Sequence, residues 1–145
     1  MLATRSALPR KLLVLVLAAT AFLAACNPSP DSEIGVGLVN WQRSDAGVPH
    51  VSRSGDLDAK AQSHAVWMAR NRTLAHSNLS AGVDGPYSVL AENVGVGSSM
   101  AQVHRTFMGS SSHRSNILDR RFRFIGVGEA RGTDGRIYVA MVFKG

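Results

Sequence analysis

The chain contains a single cysteine, Cys26, among its 145 residues. Because a disulfide needs two thiols, the domain cannot be cross-linked internally and must rely on its core for stability. A long apolar run is also lacking: the most apolar stretch begins at Leu12 and covers about 15 residues, below the roughly 20 that a permanent membrane helix requires. The sequence is therefore atypical of a disulfide-rich scaffold and of a membrane-spanning protein.

A strong charge is lacking as well. The net charge is +6 for the whole chain and +3 for residues 26–145, because the first 25 residues contain three basic side chains and no acidic one. Such a small excess is not typical of nucleic-acid-binding proteins, so we expect no nucleic-acid partner. Residues 26–145 are enough for one domain with a real core and too few for two, and we expect a monomer.

Residues 1–25 have the composition of an export signal, with basic residues ahead of an apolar run and small residues behind it. The run ends in LAAC at 23–26, which resembles the lipobox of bacterial lipoproteins, where the cysteine is lipidated and becomes the first residue. The alternative is an ordinary export signal with an incidental cysteine. We expect lipidation at Cys26, a flexible tether over 26–32 and an exported domain over 33–145, held at the cell membrane or envelope by its lipid.

Apolar residues recur at helical spacing in three segments. The first predicted helix is capped by Asp31 or Ser32, ends near Gly47, and carries on one side Ile34, Leu38 and Trp41. The second is capped by Asp56, runs to about Arg72, and buries an apolar stripe of Leu57, Ala61, Ala65, Met68 and Ala69. The third covers 98 or 99 to 108, with its inward side formed by Met100, Val103 and Phe107.

The end of the sequence favours strands. FIGVGEA at 124–130 and RIYVAMVF at 136–143 are predicted to form a hairpin through the Asp134-Gly135 pair. In the first strand we expect Ile125 and Val127 on a packed face, and glycines where another element approaches closely. Helices followed by an antiparallel hairpin predict an α+β domain, in which helices cover the faces of a small sheet.

The stretch SSSHRSNIL at 110–118 places His113 after three serines. His113 could be a catalytic base, a metal ligand or a polar residue that completes a turn. A hydrolase nucleophile in a G-x-S-x-G elbow has glycines on both sides, and here only Gly109 is present, so a serine hydrolase is not the first choice.

Five motifs occur in order along the chain: VNWQRSDAGVP at 39–49, AHS at 75–77, AEN at 91–93, SHRSNIL at 112–118 and IGVG at 125–128. Together they resemble the bacterial branch of the CAP superfamily, named after cysteine-rich secretory proteins, antigen 5 and pathogenesis-related proteins. The resemblance covers about residues 33–144. It implies a three-layer α-β-α sandwich with a small antiparallel sheet and a cleft over that sheet.

The resemblance also implies a cleft lined by two histidines and two glutamates. His76 of AHS matches the first histidine, Glu92 of AEN the first glutamate, and His113 the second histidine. The second glutamate is missing, and its place falls near Ser110, while Phe107 replaces a tryptophan. These departures weaken any inherited activity.

Two neutral imidazoles, His76 and His113, could hold a divalent cation such as zinc, with Glu92 as a candidate catalytic base that takes a proton from bound water. Alternatively, Glu92 accepts hydrogen bonds from backbone N–H groups and a histidine and has a structural role. We expect His64 and His104 to be hydrogen-bonded or on the surface, and Asn93 and Asn116 to hold turns.

Three functions remain open. The protein could be a binding module that holds a lipid, a cell-wall ligand, another small molecule or a peptide in the His/Glu cleft. It could be a metal-assisted hydrolase or protease that acts on envelope material. It could also be a structural or interaction protein with a relic cleft. The binding module is favoured, because a tetrad without one carboxylate argues more strongly against catalysis than against binding.

Overall fold

The computed structural model describes residues 29–145, so Cys26 and the predicted export signal lie outside the described residues. The helices are α1 (Pro30–Asp45), α2 (Gly55–Asn71), α3 (Met100–Gly109) and α4 (Ser111–Leu118). The strands are β1 (Ser52–Arg53), β2 (Leu90–Gly97), β3 (Phe124–Arg131) and β4 (Ile137–Lys144). Among residues 29–145, none of the helices has both the length and the apolar character needed to cross a bilayer.

The four strands form one sheet in the order β1-β3-β4-β2. β4 pairs antiparallel with both β2 and β3, whereas the short β1 runs parallel to β3. All residues of β4 from Ile137 to Phe143 are buried, which explains the unbroken apolar run IYVAMVF: the strand is covered on both faces.

Alternate residues of β4 contribute to two different cores. Ile137, Val139, Met141 and Phe143 pack with α1 and α3 on one face of the sheet. Tyr138, Ala140 and Val142 pack with α2 on the other face. This is the predicted three-layer α-β-α sandwich, and the fold prediction is confirmed.

Helix α1 differs from its prediction in its first residue and in which of its sides is buried. Ser29 caps it, since its Oγ accepts from the backbone N–H of Ser32 at 3.1 Å, and Pro30 takes the first position, where a missing N–H costs nothing. Residues 30–32, which we assigned to the tether, are therefore helical. The buried side holds Val36 and Val39, while Ile34 and Trp41 are exposed.

The reason for this orientation lies at Gly35. A Cβ atom there would stand 3.0 Å from Cγ1 of Val127, a tight contact, so glycine lets the helix come this close to the sheet without displacing that side chain. Where α1 comes nearest to the sheet its inner side is formed by Ser32 and Gly35, while Ile34 and Trp41 lie outside.

Helix α2 buries the predicted stripe, from Leu57 to Ala69. Its cap is Ser54 rather than Asp56, because the Asp56 carboxylate instead bonds to Ser54, Asp84 and Lys144. Helix α3 is confirmed, with Met100, Val103 and Phe107 buried. The hairpin of β3 and β4 is confirmed as well, and Ile125 and Val127 are buried as expected.

The glycines of β3 lie under α2. A Cβ atom on Gly126 would be 2.0 Å from the backbone carbon of Leu57, and one on Gly128 would be 2.2 Å from that of Ala61. Such contacts are impossible, so helix and strand can pack at this distance only because both positions are glycine. The expected close approach at these glycines is confirmed.

Arg43 is a fully buried residue on the inner side of α1. Its guanidinium donates hydrogen bonds to four backbone carbonyls, those of Pro49, Ile117, Asp119 and Phe122, at 2.6 to 3.1 Å. Burial lowers its pKa, partly offset by the charge of Asp119. The side chain thereby holds the end of α4 and the following turn against α1.

Candidate functional site

The site is built around β2, which lies at an edge of the sheet. Successive residues of a strand point to opposite faces. Val94 and Val96 pack with the α2 core, which places Glu92 on that side, whereas Ala91 packs with the α3 core, which places Asn93 on the other. The edge position lets loops and helices from both layers reach this strand.

Glu92 is the most strongly held polar side chain of the site, with only 3% of the side chain exposed. One oxygen, Oε1, lies 2.9 Å from Nδ1 of His76 and accepts the backbone N–H of Ser77 at 2.8 Å. The other, Oε2, accepts the hydroxyl of Ser77 at 2.6 Å. The carboxylate thus fixes the loop that follows α2 to the edge strand.

These bonds determine the protonation of Glu92. Burial by itself would raise the pKa of the carboxyl, but the bonds from Ser77 and His76 outweigh it, and the pKa lies below its usual value. Glu92 is therefore an anion at neutral pH that is engaged on both oxygens.

His76 is 61% exposed and is oriented by Glu92 through Nδ1, which leaves Nε2 as the nitrogen turned away from the carboxylate. A carboxylate that orients an imidazole in this way is common behind metal-binding histidines. His76 and Glu92 are thus brought together, as the family resemblance implied.

His113 lies in α4, a short helix that the sequence did not predict, and not in a turn. Its ring contacts Phe107, with centroids 5.0 Å apart, and its Nδ1 is buried without a hydrogen-bond partner in the described part of the chain. Burial lowers its pKa, and the nearby charge of His76 lowers it further, so the ring is neutral at neutral pH. The ring therefore lies between Phe107 and the edge strand, as a neutral imidazole.

Asn93 and Asn116 join β2 to α4. The Asn93 side chain donates to the backbone carbonyl of His113 at 3.0 Å and accepts from Nδ2 of Asn116 at 2.9 Å. The prediction that these residues hold turns is wrong, because Asn93 is fully buried in a strand and its partners belong to another element. Their role is to fix His113 beside the edge strand.

Ser110 stands at the junction of α3 and α4, where its hydroxyl lies 3.1 Å from that of Ser112. Within residues 29–145 no hydrogen bond connects it to His76, Glu92 or His113. The position that the resemblance assigns to the second glutamate is thus occupied by a residue that shapes the helix junction.

His64 and His104 differ in whether their ring nitrogens have hydrogen-bond partners. Nε2 of His64 lies 2.7 Å from the carbonyl oxygen of Ala75, as expected for a hydrogen-bonded histidine. His104 is buried, and within the described residues neither ring nitrogen has a hydrogen-bond partner. The prediction for His104 is wrong: the periodicity of α3 turns this residue inwards next to Val103. Burial lowers its pKa.

The donor set fits a catalytic zinc poorly. Catalytic zinc usually has three protein ligands, and in the described chain no three His, Cys, Asp or Glu side chains are grouped to hold one ion. Glu92 is occupied by His76 and Ser77, so the site offers two imidazoles, His76 and His113.

A groove of about 630 Å³ lies beside this cluster, which the sequence did not reveal. One wall is the outer side of α2, with Asp56, Ala59, Lys60, Ser63, His64 and Trp67. The other wall is the loop of Ser77, Asn78, Ala81, Gly82 and Asp84. Ser77 belongs to both features, since it lines the groove and binds Glu92. The α2 residues of this wall recur every three or four positions in the sequence, and this spacing could have predicted that they share one side of the helix.

The two walls of the groove are joined by polar bonds. Nζ of Lys60 donates to the carbonyls of Asn78 and Ala81 at 2.6 and 2.8 Å, which fixes the loop opposite α2. At one end, hydrogen bonds from Ser54, Asp84 and Lys144 overcome the effect of burial and lower the pKa of Asp56 to about 2. Trp67, 47% exposed, stacks on His64 with ring centroids 5.7 Å apart.

A three-layer sandwich with a His–Glu pair at a free strand edge defines an extracellular-type CAP domain. The family model described as the cysteine-rich secretory protein family, CAP, matches residues 36–143, and the chain belongs to this family. None of the curated proteins matches the chain in sequence.

Several solved structures share the fold. An outer surface protein of Borrelia burgdorferi is 18% identical with a TM-score of 0.72, over 81% of this chain and 94% of that one. An extracellular protein of Bacillus anthracis containing an SCP domain is 20% identical with a TM-score of 0.68, over 81% and 44%. NaASP2, solved with Zn²⁺, is 12% identical with a TM-score of 0.63, over 79% and 80%.

Proposed function

We propose that the protein is a binding module of the bacterial cell envelope, exported and anchored by a lipid on Cys26. It holds a lipid, a cell-wall fragment, another small molecule or a peptide in the groove beside His76 and Glu92. The observation that carries this proposal is the engagement of Glu92, whose two oxygens are used to position His76 and Ser77 and so to build the groove wall.

The groove has suitable size and chemistry. Its volume of about 630 Å³ is within the range of roughly 300–1,000 Å³ typical of small-molecule sites. Trp67 and the alanines offer apolar contact, while the exposed Ser63 hydroxyl and Asn78 amide offer polar contact. This combination suits a ligand with an apolar body and polar groups.

The geometry supports a hydrolase less well. A general base works best when its pKa is near the operating pH, whereas the pKa of Glu92 is lowered. Zinc or a similar cation would have two imidazoles and solvent as ligands, and we propose at most weak binding. The Zn²⁺ in the NaASP2 structure supports a cation at this fold without assigning it a reaction here.

The anchor is tested by mass spectrometry of the protein purified from bacterial membranes. We expect acyl groups on Cys26 as the first residue, and we expect Cys26→Ser to prevent both processing and membrane fractionation, because two or three acyl chains anchor stably. A mature N-terminus elsewhere, without lipid, would contradict the anchor.

Binding is tested with two defined probes, palmitic acid and a disaccharide-peptide fragment of peptidoglycan, on the lipidated protein in detergent micelles. We expect Trp67→Ala to weaken binding of the preferred probe at least about tenfold, as truncation of an aromatic anchor does. Trp41→Ala is the matched control, because Trp41 is equally aromatic, 64% exposed and on α1 rather than in the groove. Equal losses in both variants, or binding of neither probe, would contradict the groove as the site.

A further inference from the structure

Helix α1 has an apolar outer side in addition to its buried inner one. Ile34 is 50% exposed and Trp41 is 64% exposed, with Leu38 half-buried between them. Residues 34, 38 and 41 share one side of a helix, and a Cβ on the neighbouring Gly37 would meet no atom of residues 29–145 within 4 Å. We call Ile34, Leu38 and Trp41 the outer stripe.

The outer stripe begins close to the proposed anchor. Only Asn27 and Pro28 separate Cys26 from the cap residue Ser29. Since a residue spans at most about 3.6 Å, the start of α1 lies within roughly 11 Å of the acylated cysteine. α1 is consequently the described element that the anchor holds nearest to the membrane.

We propose that the outer stripe of α1 lies on the surface of the bilayer that holds the Cys26 lipid. This inference rests on the lipid anchor of the proposed function. At about 1.5 Å per residue, Trp41 is some 17 Å along the helix from Pro30, so a helix parallel to the bilayer brings the whole stripe to the interface. Tryptophan with neighbouring aliphatic residues is the composition that favours this layer.

The charges near the stripe are acidic: Asp45 is exposed one turn beyond Trp41 on the same side of the helix, so the contact comes from apolar burial rather than from attraction to anionic headgroups. Glu33, which neighbours Ile34, is paired with Nη1 of Arg53 at 2.7 Å. Arg53 also binds Asp58 at 2.9 Å and so connects α1 to α2. Glu33 therefore has its own counter-charge.

The orientation has a consequence for the groove. α1 and α2 cover opposite faces of the sheet, and the groove lies on the side of α2 that faces away from the sheet. A membrane on the outer stripe therefore places the groove on the far side of the domain. There it meets ligands of the surrounding envelope rather than lipids of the anchoring bilayer.

The test uses the full lipidated chain in vesicles of phosphatidylethanolamine and phosphatidylglycerol that contain brominated phospholipid. The chain has two tryptophans, so Trp67→Phe leaves Trp41 as the reporter and Trp41→Phe leaves Trp67 as the matched control. We expect bromine to quench Trp41 emission at least about twofold and to leave Trp67 nearly unchanged, because bromine quenches only at close range within the bilayer interface. In the Trp67→Phe background, Ile34→Glu should reduce the quenching of Trp41.

Two failures can be distinguished. Lipid on Cys26 together with unquenched Trp41 would overturn the docking and leave the anchor intact. If Trp41 is then also shielded from iodide as protein concentration rises, the outer stripe binds a second copy instead. Absence of lipid on Cys26 would overturn the anchor and the docking together.

Discussion

Arg43 shows how one residue can fix the position of a segment that is distant in the sequence. Its guanidinium is buried yet bonds to no carboxylate, and four carbonyl oxygens replace the water that it loses. Three of these carbonyls are 74 to 79 residues away in sequence. The charge is thus used to position a turn that has no regular secondary structure of its own.

We expect Arg43→Met to lower the free energy of unfolding by about 3–5 kcal/mol, because it leaves buried carbonyls without donors as well as removing the charge. Arg136→Met is the control, since Arg136 is largely exposed and pairs with Asp134 at the surface, where a change within about 0.5 kcal/mol is typical. Urea denaturation of both variants measures the difference. Equal stability of the Arg43 variant and wild type would refute the structural role.

His76, Glu92 and His113 can be separated by calorimetry with zinc. We expect weak binding by wild type at neutral pH, none by His113→Ala, and weakening as pH falls below about 6.5, because only neutral imidazole coordinates and burial lowers the pKa of His113. Ser110→Glu, which adds a carboxylate where the family resemblance places one, should increase the affinity. If His113→Ala binds zinc as well as wild type does, the imidazoles are not its ligands.

Glu92→Gln tests the structural role of the carboxylate. We expect it to lower the free energy of unfolding by about 1–3 kcal/mol with or without zinc, because an amide cannot accept all the bonds from His76 and Ser77. Thermal melting in chelator, compared with melting in zinc, measures this. A loss seen only with zinc would assign Glu92 to the metal instead.

His104 should make the fold sensitive to mild acid. The folded state holds this ring neutral, so its pKa is lowered, whereas the unfolded chain protonates near about 6.5. The unfolded state then binds more protons, and stability declines as pH falls below that value, by up to about 1.4 kcal/mol per pH unit for each such histidine. His113 contributes in the same direction.

We expect His104→Leu to reduce this pH dependence between about pH 6.5 and 5, because leucine fills the site without a titrating group. His50→Leu is the control, since it makes the same substitution at an exposed histidine. Unfolding free energies at several pH values give the slopes. A His104 variant with the wild-type slope would show that other groups cause the acid sensitivity.

At the scale of elements, the contact between α2 and β3 depends on two glycines. We expect Gly126→Ala to cost about 3 kcal/mol or more, because its Cβ would collide with the backbone of Leu57, which cannot move without the whole helix. Gly37→Ala in α1 is the matched control: its Cβ meets no described atom within 4 Å, and alanine should stabilise the helix by about 0.5–1 kcal/mol. Denaturation curves of both variants give these changes in the free energy of unfolding. If Gly126→Ala is as stable as wild type, the close packing of α2 on β3 is contradicted.

Prediction from the sequence succeeded where apolar periodicity and packing agree. α2, α3 and the terminal hairpin have large apolar residues at the spacing of their buried sides. α1 was oriented wrongly because its inner side uses Ser32 and Gly35 to approach the sheet. β2 was missed because Glu92 and Asn93 serve the site, and because Gly95 makes room for Val103 and Phe107 of α3.

At the scale of the whole molecule, the order of the motifs predicted the fold and placed His76 and Glu92 together. Neither the groove nor the links from Asn93 to α4 could be predicted, because they join elements whose relative positions no local pattern encodes. The two sites that we propose, the outer stripe of α1 and the groove of α2, consequently lie on opposite sides of the domain.

The position of the two central strands has a kinetic consequence. β3 and β4 lie in the middle of the sheet but follow all the other described elements along the chain. The helices are therefore synthesised before the strands that cover their apolar sides, and β1 finds its partner only when β3 has appeared. Contacts between residues so far apart in sequence form slowly. The sheet therefore forms only after the last two strands have been synthesised. This order suits the export that we propose, because a narrow channel passes an unfolded chain.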